Sequence, residues 1–160
     1  MNPALKEEER VEALLISGFL EIDNQKELDN ICCIAAQVTG SPVAAVTLIT
    51  KDTAICKAKY GDFPEFLHKY DSFCLYALEK NDFIEFENVQ DSKVDVVMNF
   101  AAKHPDLRYY AAVPLRLSSG EVVGTLCVLD KNQKKTDETV ISILKTLAEN
   151  CVLAFVNSVN

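Results

Sequence analysis

The plainest pattern along the chain lies at 107–130. In the first run, Leu107, Tyr109, Ala111, Val113, Leu115 and Leu117 fall on one face of a strand. Arg108, Tyr110, Ala112, Pro114 and Arg116 fall on the other. After Ser118-Ser119-Gly120, the residues Val122, Gly124, Leu126 and Val128 alternate with Val123, Thr125, Cys127 and Leu129. This reads as a β-hairpin whose two faces are both apolar in the middle. A sheet with one wet face would alternate apolar with polar residues. The hairpin is therefore expected at the centre of a sheet and covered on both sides. Helices cover one side, and further helices or loops enclosing a cavity cover the other.

The remaining periodicities supply the neighbours. Ala4, Leu5, Val11, Leu14 and Leu15 stand at near-helical spacing. A second helix starts with Asn24 as cap and Glu27 three residues on, a capping-box spacing, and stops at Gly40. Runs 43–50 and 53–60 read as strands joined tightly at Lys51-Asp52. Residues 61–70 read as loop or one irregular turn. Ser72–Leu78 reads as a short helix capped by Asp71 or Ser72, 83–86 as a short strand, and 91–103 as a loop followed by a weak helix. Thr136 is expected to cap a long helix to Val156, with Asp137 and Glu138 in its positive first turn. That helix carries two apolar stripes, and the second needs cover from the N-terminal helix or a partner chain. The sum is one α+β domain over 1–160. About five to six antiparallel strands form its sheet, with terminal helices on one face and short helices and loops over a small cavity on the other.

Composition narrows the function. The chain has 160 residues, with Lys+Arg 16 against Asp+Glu 24, a net charge of −8. That sign repels phosphate backbones and anionic bilayers, so neither nucleic acid nor a membrane is expected as a partner. No secretory signal opens the sequence and no apolar run reads as long enough to span a bilayer, which points to the cytoplasm. The six cysteines form no C-x-x-C pair, and His68 and His104 stand alone, so neither a zinc site nor a disulfide framework is expected. Serine elbow, phosphate-cradling glycine loop and metal cluster are all absent from the pattern.

Several residues carry candidate chemistry. Arg108 shares a strand face with Tyr110 and offers a fork for a carboxylate or phosphate; alternatively it pairs with Asp91 or Asp130. Ser72 caps a helix or touches a ligand, and Phe73 is core or a ligand shelf. Cys74 lies near a helix start, where a thiol gains some reactivity, whereas Cys127 sits in an apolar strand. Pro114 inside a covered strand calls for a bulge, and Gly124 permits either close backbone approach or tight packing.

Five strings, in order, resemble the GAF domain family of bacterial sensor proteins. They are the helical segments Arg10–Leu14 with Glu27–Ile31, the turn Thr39–Ala44, the motif Ser72-Phe73-Cys74, the strand Leu107–Leu115, and Gly124–Asp130. The resemblance implies a non-catalytic small-molecule-binding sensory or regulatory module. Ligand-dependent ordering of its pocket cover would be relayed through the terminal helices. The implied pocket candidates are Ser72, Phe73, Cys74, Tyr76, Asp91, Arg108, Tyr110, Pro114 and Cys127. The residues themselves lead us to expect no cofactor and no metal. The implied partners are an unidentified small molecule, a second copy through the terminal helices, and a separate effector such as a kinase or cyclase. Tyr76 stands where the subfamily often has histidine, and the cysteine-histidine dipeptide of bilin-binding members is absent. Two alternatives remain: a free methionine sulfoxide reductase-type enzyme using Cys74, and a ligand-free dimerisation domain.

Overall fold

A computed structural model describes residues 2–23, 26–69 and 73–159. Helix α1 spans Pro3–Ser17, α2 Lys26–Thr39, α3 Cys74–Lys80, α4 Asp95–Lys103 and α5 Glu138–Ser158. Strands β1 (Val43–Ile49), β2 (Thr53–Tyr60), β3 (Phe66–His68), β4 (Ile84–Phe86), β5 (Tyr109–Arg116) and β6 (Val122–Asp130) make one antiparallel sheet ordered β3-β2-β1-β6-β5-β4. The β5–β6 hairpin is central and buried on both faces, as its pattern requires. Tyr109, Ala111, Val113 and Leu115 join the core under α2 and α5, while Tyr110, Ala112 and Cys127 join a second core on the opposite face.

Two bulges adjust this alternation. Leu115 faces Gly124 but Arg116 faces Val122, which leaves Val123 as the extra residue on β6. Val123 thereby joins Leu126 and Val128 on the helical side, not Cys127 as strict alternation predicts. The bulge lies one residue past Pro114. β4 also ends opposite Ala112, so β5 is locally an outer strand at Pro114 and the missing N–H is tolerated. The second bulge places Lys57 on β2 between the pairs Val46–Ala58 and Thr47–Cys56. Its buried ammonium donates to Leu20 O at 3.0 Å.

The helices differ from the pattern in instructive ways. Asp137, not Thr136, caps α5, its carboxylate accepting from Val140 N at 2.9 Å. Thr136 is buried. Its N–H donates to Glu85 at 2.9 Å, and its hydroxyl meets Tyr109 Oη, which itself donates to Glu85 at 2.8 Å. The second stripe of α5 is covered at Phe155 by Phe19, stacked at 4.8 Å, so the turn after α1 supplies the cover there. α1 buries only Arg10 and Leu14; Leu5, Leu15 and Ile16 face outward. Gly40 ends α2 at φ 65° as expected, while the Asn24 cap lies outside the described residues. By length and composition α5 meets the requirement for a membrane span, with mean hydropathy 1.6, contrary to the sequence reading. Its apolar residues Leu144, Leu147, Cys151 and Phe155 are buried in the helical core. Residues 66–68, read as loop, form the edge strand β3, with Phe66 61% exposed and Leu67 turned inward.

Charged side chains fasten the ends of the sheet. Arg10 Nη1 donates to Ile49 O at 2.8 Å and Val122 O at 3.2 Å, and its Nη2 donates to Thr50 O at 3.2 Å. Lys134 pairs with Asp130 and donates to Thr39 O and Gly40 O, both at 3.1 Å, capping α2.

A Cβ on Gly124 would lie 1.9 Å from Thr47 O and 3.2 Å from Leu48 Cα, both backbone atoms that cannot swing away. Gly124→Ala is therefore expected to cost about 3 kcal/mol in urea unfolding; a loss below about 0.5 kcal/mol would contradict this contact.

The same unfolding assay tests the ion pairs. Burial alone would raise the Glu7 carboxyl, but hydrogen bonds from Arg10 and Lys69 outweigh it and hold the group below its ordinary 4.5. Burial likewise opposes, and Lys134 overcomes, at Asp130, which is held below 3.8. Below these values the unfolded chain binds protons that the folded one refuses. The stabilisation is thus complete above the unfolded pKa and lost as pH falls through the folded one. The stability gap between wild type and Glu7→Gln is expected to shrink between about pH 6 and pH 3; an unchanged gap would refute the assignment.

Candidate functional site

The face of the sheet away from α2 and α5 carries its own small core. The first turn of α3, the helix α4 and the segment around Phe63 and Leu67 close over Ala45, Ala112 and Cys127. Its centre is Phe73. That ring stacks on Tyr110 with centroids 3.9 Å apart, meets Phe100 at 4.4 Å, and reaches Phe86 at 5.9 Å. Local sequence explains the arrangement. Tyr110 projects to this side because β5 alternates, and Val97, Phe100 and Ala101 lie on one side of α4 at helical spacing. Beneath the rings, the buried hydroxyls of Thr47 on β1 and Thr125 on β6 bond each other at 2.9 Å. Each hydroxyl satisfies the other, so two polar groups are tolerated in an apolar layer.

A void of about 20 Å³ remains, lined by Phe63, Phe73, Cys74, Phe100, Tyr110 and Cys127 among others. A single water needs roughly 10–15 Å³ and a ligand pocket roughly 300–1,000 Å³. The small cavity expected from the sequence is reduced to this void, which is too small for a ligand, because aromatic rings fill the rest of the chamber. Leu129 lines both this void and an open surface groove of about 340 Å³ that is also lined by Val43, Asp62, His104, Leu107 and Lys131.

The predicted site residues separate into groups. Phe73, Cys74, Tyr110 and Cys127 come together at the void. Tyr76 lies beside it, packed on Phe86 at 5.2 Å with the Lys80 ammonium 5.2 Å from its ring. Asp91 is exposed on the 3-10 turn Val89–Asp91. Arg108 meets neither Tyr110 nor a carboxylate. It precedes β5, and its guanidinium turns back to Pro105 O at 2.6 Å and Leu107 O at 3.1 Å, so both readings of Arg108 are corrected. Pro114 lines a separate groove against α5. Ser72 lies outside the described residues. Phe63, Leu67, Phe100, Thr47, Thr125 and Leu129 were not among the predicted residues. The threonine pair had a readable signal, since each interrupts an apolar strand at its midpoint.

The chemistry of this chamber is that of a dry aromatic box. Burial pushes the Cys127 thiol and the Tyr110 phenol well above their ordinary values; Cys74 adds to both, and Cys127 adds to Tyr110. A reactive thiol needs the opposite, an electropositive and partly open setting. Cys74 is itself only 5% exposed. Among the described residues, no group of three or more His, Cys, Asp or Glu side chains is placed to hold a metal ion. The arrangement offers aromatic faces, two thiols and a threonine hydroxyl pair: contacts for an apolar or aromatic body with at most a few hydrogen bonds.

Comparison with known proteins agrees with this architecture. The chain is 26% identical over 120 residues to a cyclic di-GMP phosphodiesterase of Pseudomonas aeruginosa, a match covering 73% of this chain and 20% of that protein. It therefore spans about a fifth of the length of that relative. Among solved structures, the type II free methionine-R-sulfoxide reductase of Thermoplasma acidophilum superposes with a TM-score of 0.69 at 14% identity, covering 84% of this chain and 93% of that one. The GAF domain of an Acinetobacter phosphoenolpyruvate-protein phosphotransferase gives 0.66 at 17% identity, covering 98% and 96%. The blue-light-absorbing form of the Thermosynechococcus elongatus PixJ GAF domain gives 0.68 at 12% identity, covering 88% of each. At these identities the structural likeness speaks for the fold alone. The GAF domain family model, however, matches residues 23–156, most of the chain, and on that match the chain belongs to the GAF domain family.

Proposed function

We propose that this GAF domain is a non-catalytic sensory module whose Phe73 plug is exchanged for a small apolar or aromatic guest. The observation that carries the reading is the separate aromatic core of the cover face, with Phe73 packed on Tyr110 over a residual void of about 20 Å³. The described state is then the guest-free one. A guest acts only through unequal affinity for the plugged and unplugged states. Because the void is nearly filled, Phe73 must leave Tyr110 before a guest enters, and α3 and α4 must move with it. Leu129 and the groove outside it offer the route.

The phosphodiesterase relative supports a regulatory place within cyclic-dinucleotide signalling, with the effector elsewhere, such as a kinase, cyclase or phosphodiesterase unit. The likeness to a sulfoxide reductase rests on fold, and the buried Cys74 and Cys127 give that chemistry no exposed thiolate. The outward Leu15 and Ile16 of α1 and Leu153 and Val156 of α5 favour a homodimer through the terminal helices.

Two measurements check these readings. Phe73→Ala should cost about 3–5 kcal/mol and leave an apolar hole. Added indole should then raise the melting temperature of the variant in proportion to the logarithm of its concentration, with a smaller effect on wild type. No shift in either protein would mark the domain as a filled scaffold. Light scattering at high concentration should show a dimer that Ile16→Glu disrupts; a monomeric wild type would remove the dimer.

A further inference from the structure

The carboxylate of Glu7 bridges two withdrawn cations. It accepts from Arg10 through Nε and through Nη2, the latter at 3.1 Å, and from the Lys69 ammonium. Arg10 is 8% exposed and Lys69 4%. The three groups come from separate parts of the fold. Glu7 and Arg10 belong to α1, and Arg10 also grips the ends of β1 and β6 through Ile49 O and Val122 O. Lys69 directly follows β3, whose Leu67 lines the void, and stands four residues before Phe73 in the chain. Its backbone N–H donates to Asp52 O at 2.9 Å, which ties it to the β1–β2 turn.

We propose that Glu7 is the coupling element between the cover of the void and α1: displacement of Leu67 and Phe73 shifts Lys69, and the Glu7 bridge transmits that shift to the first helix. The physics favours a two-state link. Loss of the carboxylate removes an ion-pair partner from Arg10 and from Lys69 at once, and breaking a buried pair is far costlier than losing an apolar contact, so a clear energy gap separates the bridged arrangement from a broken one. As regulation, this proposal rests on the sensory reading above, since it supplies the route by which a guest would reach α1; as a coupling, it is measured without any guest.

The test is a double-mutant cycle read by native-state hydrogen exchange on the full chain. The milder Phe73→Leu loosens the cover. With Glu7 present it should speed exchange of the α1 amides by about tenfold, within the usual range of coupling between sites. In the Glu7→Gln background α1 should exchange faster from the outset, and Phe73→Leu should add nothing. Asp130→Asn, which breaks an ion pair elsewhere, should leave the coupling intact. Should Glu7→Gln not fold, Lys69→Met removes the bridge from the other side and predicts the same loss of coupling. An α1 response to Phe73→Leu that is absent with Glu7 present, or equal in both backgrounds, overturns the proposal. A failed indole titration with intact coupling would reject the guest and leave the bridge standing.

Discussion

The central ribbon β1–β6–β5 is apolar on both faces, and everything else in the domain answers the need to keep both from water. Antiparallel sheets usually leave one face wet. Here Ala44, Val46, Leu126 and Tyr109 require one cover while Ala45, Cys127 and Tyr110 require another. The two covers are unequal. Long helices, α2 and α5, close the first face around Leu28, Ile31, Leu144 and Phe155. The second is closed by a seven-residue helix, a nine-residue helix and three-residue strands at both sheet edges. Short elements bury little on their own and open at lower free energy than long packed ones. On that ground the aromatic cover is expected to open at lower free energy than the helical one.

Cations do much of the fastening. Lys57 serves Leu20 O, Lys59 serves Phe63 O at 2.8 Å, Lys134 serves the end of α2, and Arg116 closes α3 through Asn81 O at 2.6 Å. Each supplies donors to backbone carbonyls that a turn or helix end leaves without partners. Arg10, Lys57 and Lys69 are buried outright. Turning positive side chains inward in a chain of net charge −8 leaves the outside more acidic still, which strengthens the repulsion of phosphate backbones.

Sequence alone revealed what depends on period and on strong local signals. The double-faced alternation at 107–130 placed the hairpin at the centre, Gly40 marked the end of α2, and ordered motifs pointed to the family. What it missed depends on residues distant in the chain. The bulge at Val123 reverses a side chain because β5 and β6 lose one residue of register, which neither strand announces by itself. Phe66–His68 carries too few residues for a period-2 pattern and becomes a strand only because β2 lies alongside. The strand was expected to start at Leu107, two positions too early; the ladder starts at Tyr109, so Arg108 precedes it and its side chain falls back onto its own turn. Thr136 looked like a helix cap, yet its hydroxyl is held by Tyr109 and its amide by Glu85. At the site, the motif residues Phe73 and Cys74 were legible, while Phe63, Phe100 and the Thr47–Thr125 pair converge only through tertiary packing.

The claim beneath this account is that the guest-free domain fills its own chamber with the Phe73 ring. Nuclear Overhauser contacts between the rings of Phe73 and Tyr110, measured on protein stripped of bound small molecules, address it directly. Strong ring-to-ring contacts, with Phe100 also near Phe73, are the predicted result. A Phe73 ring free of Tyr110 and in contact with solvent would mean that the chamber stands open without a guest, and the plug-exchange account would be wrong.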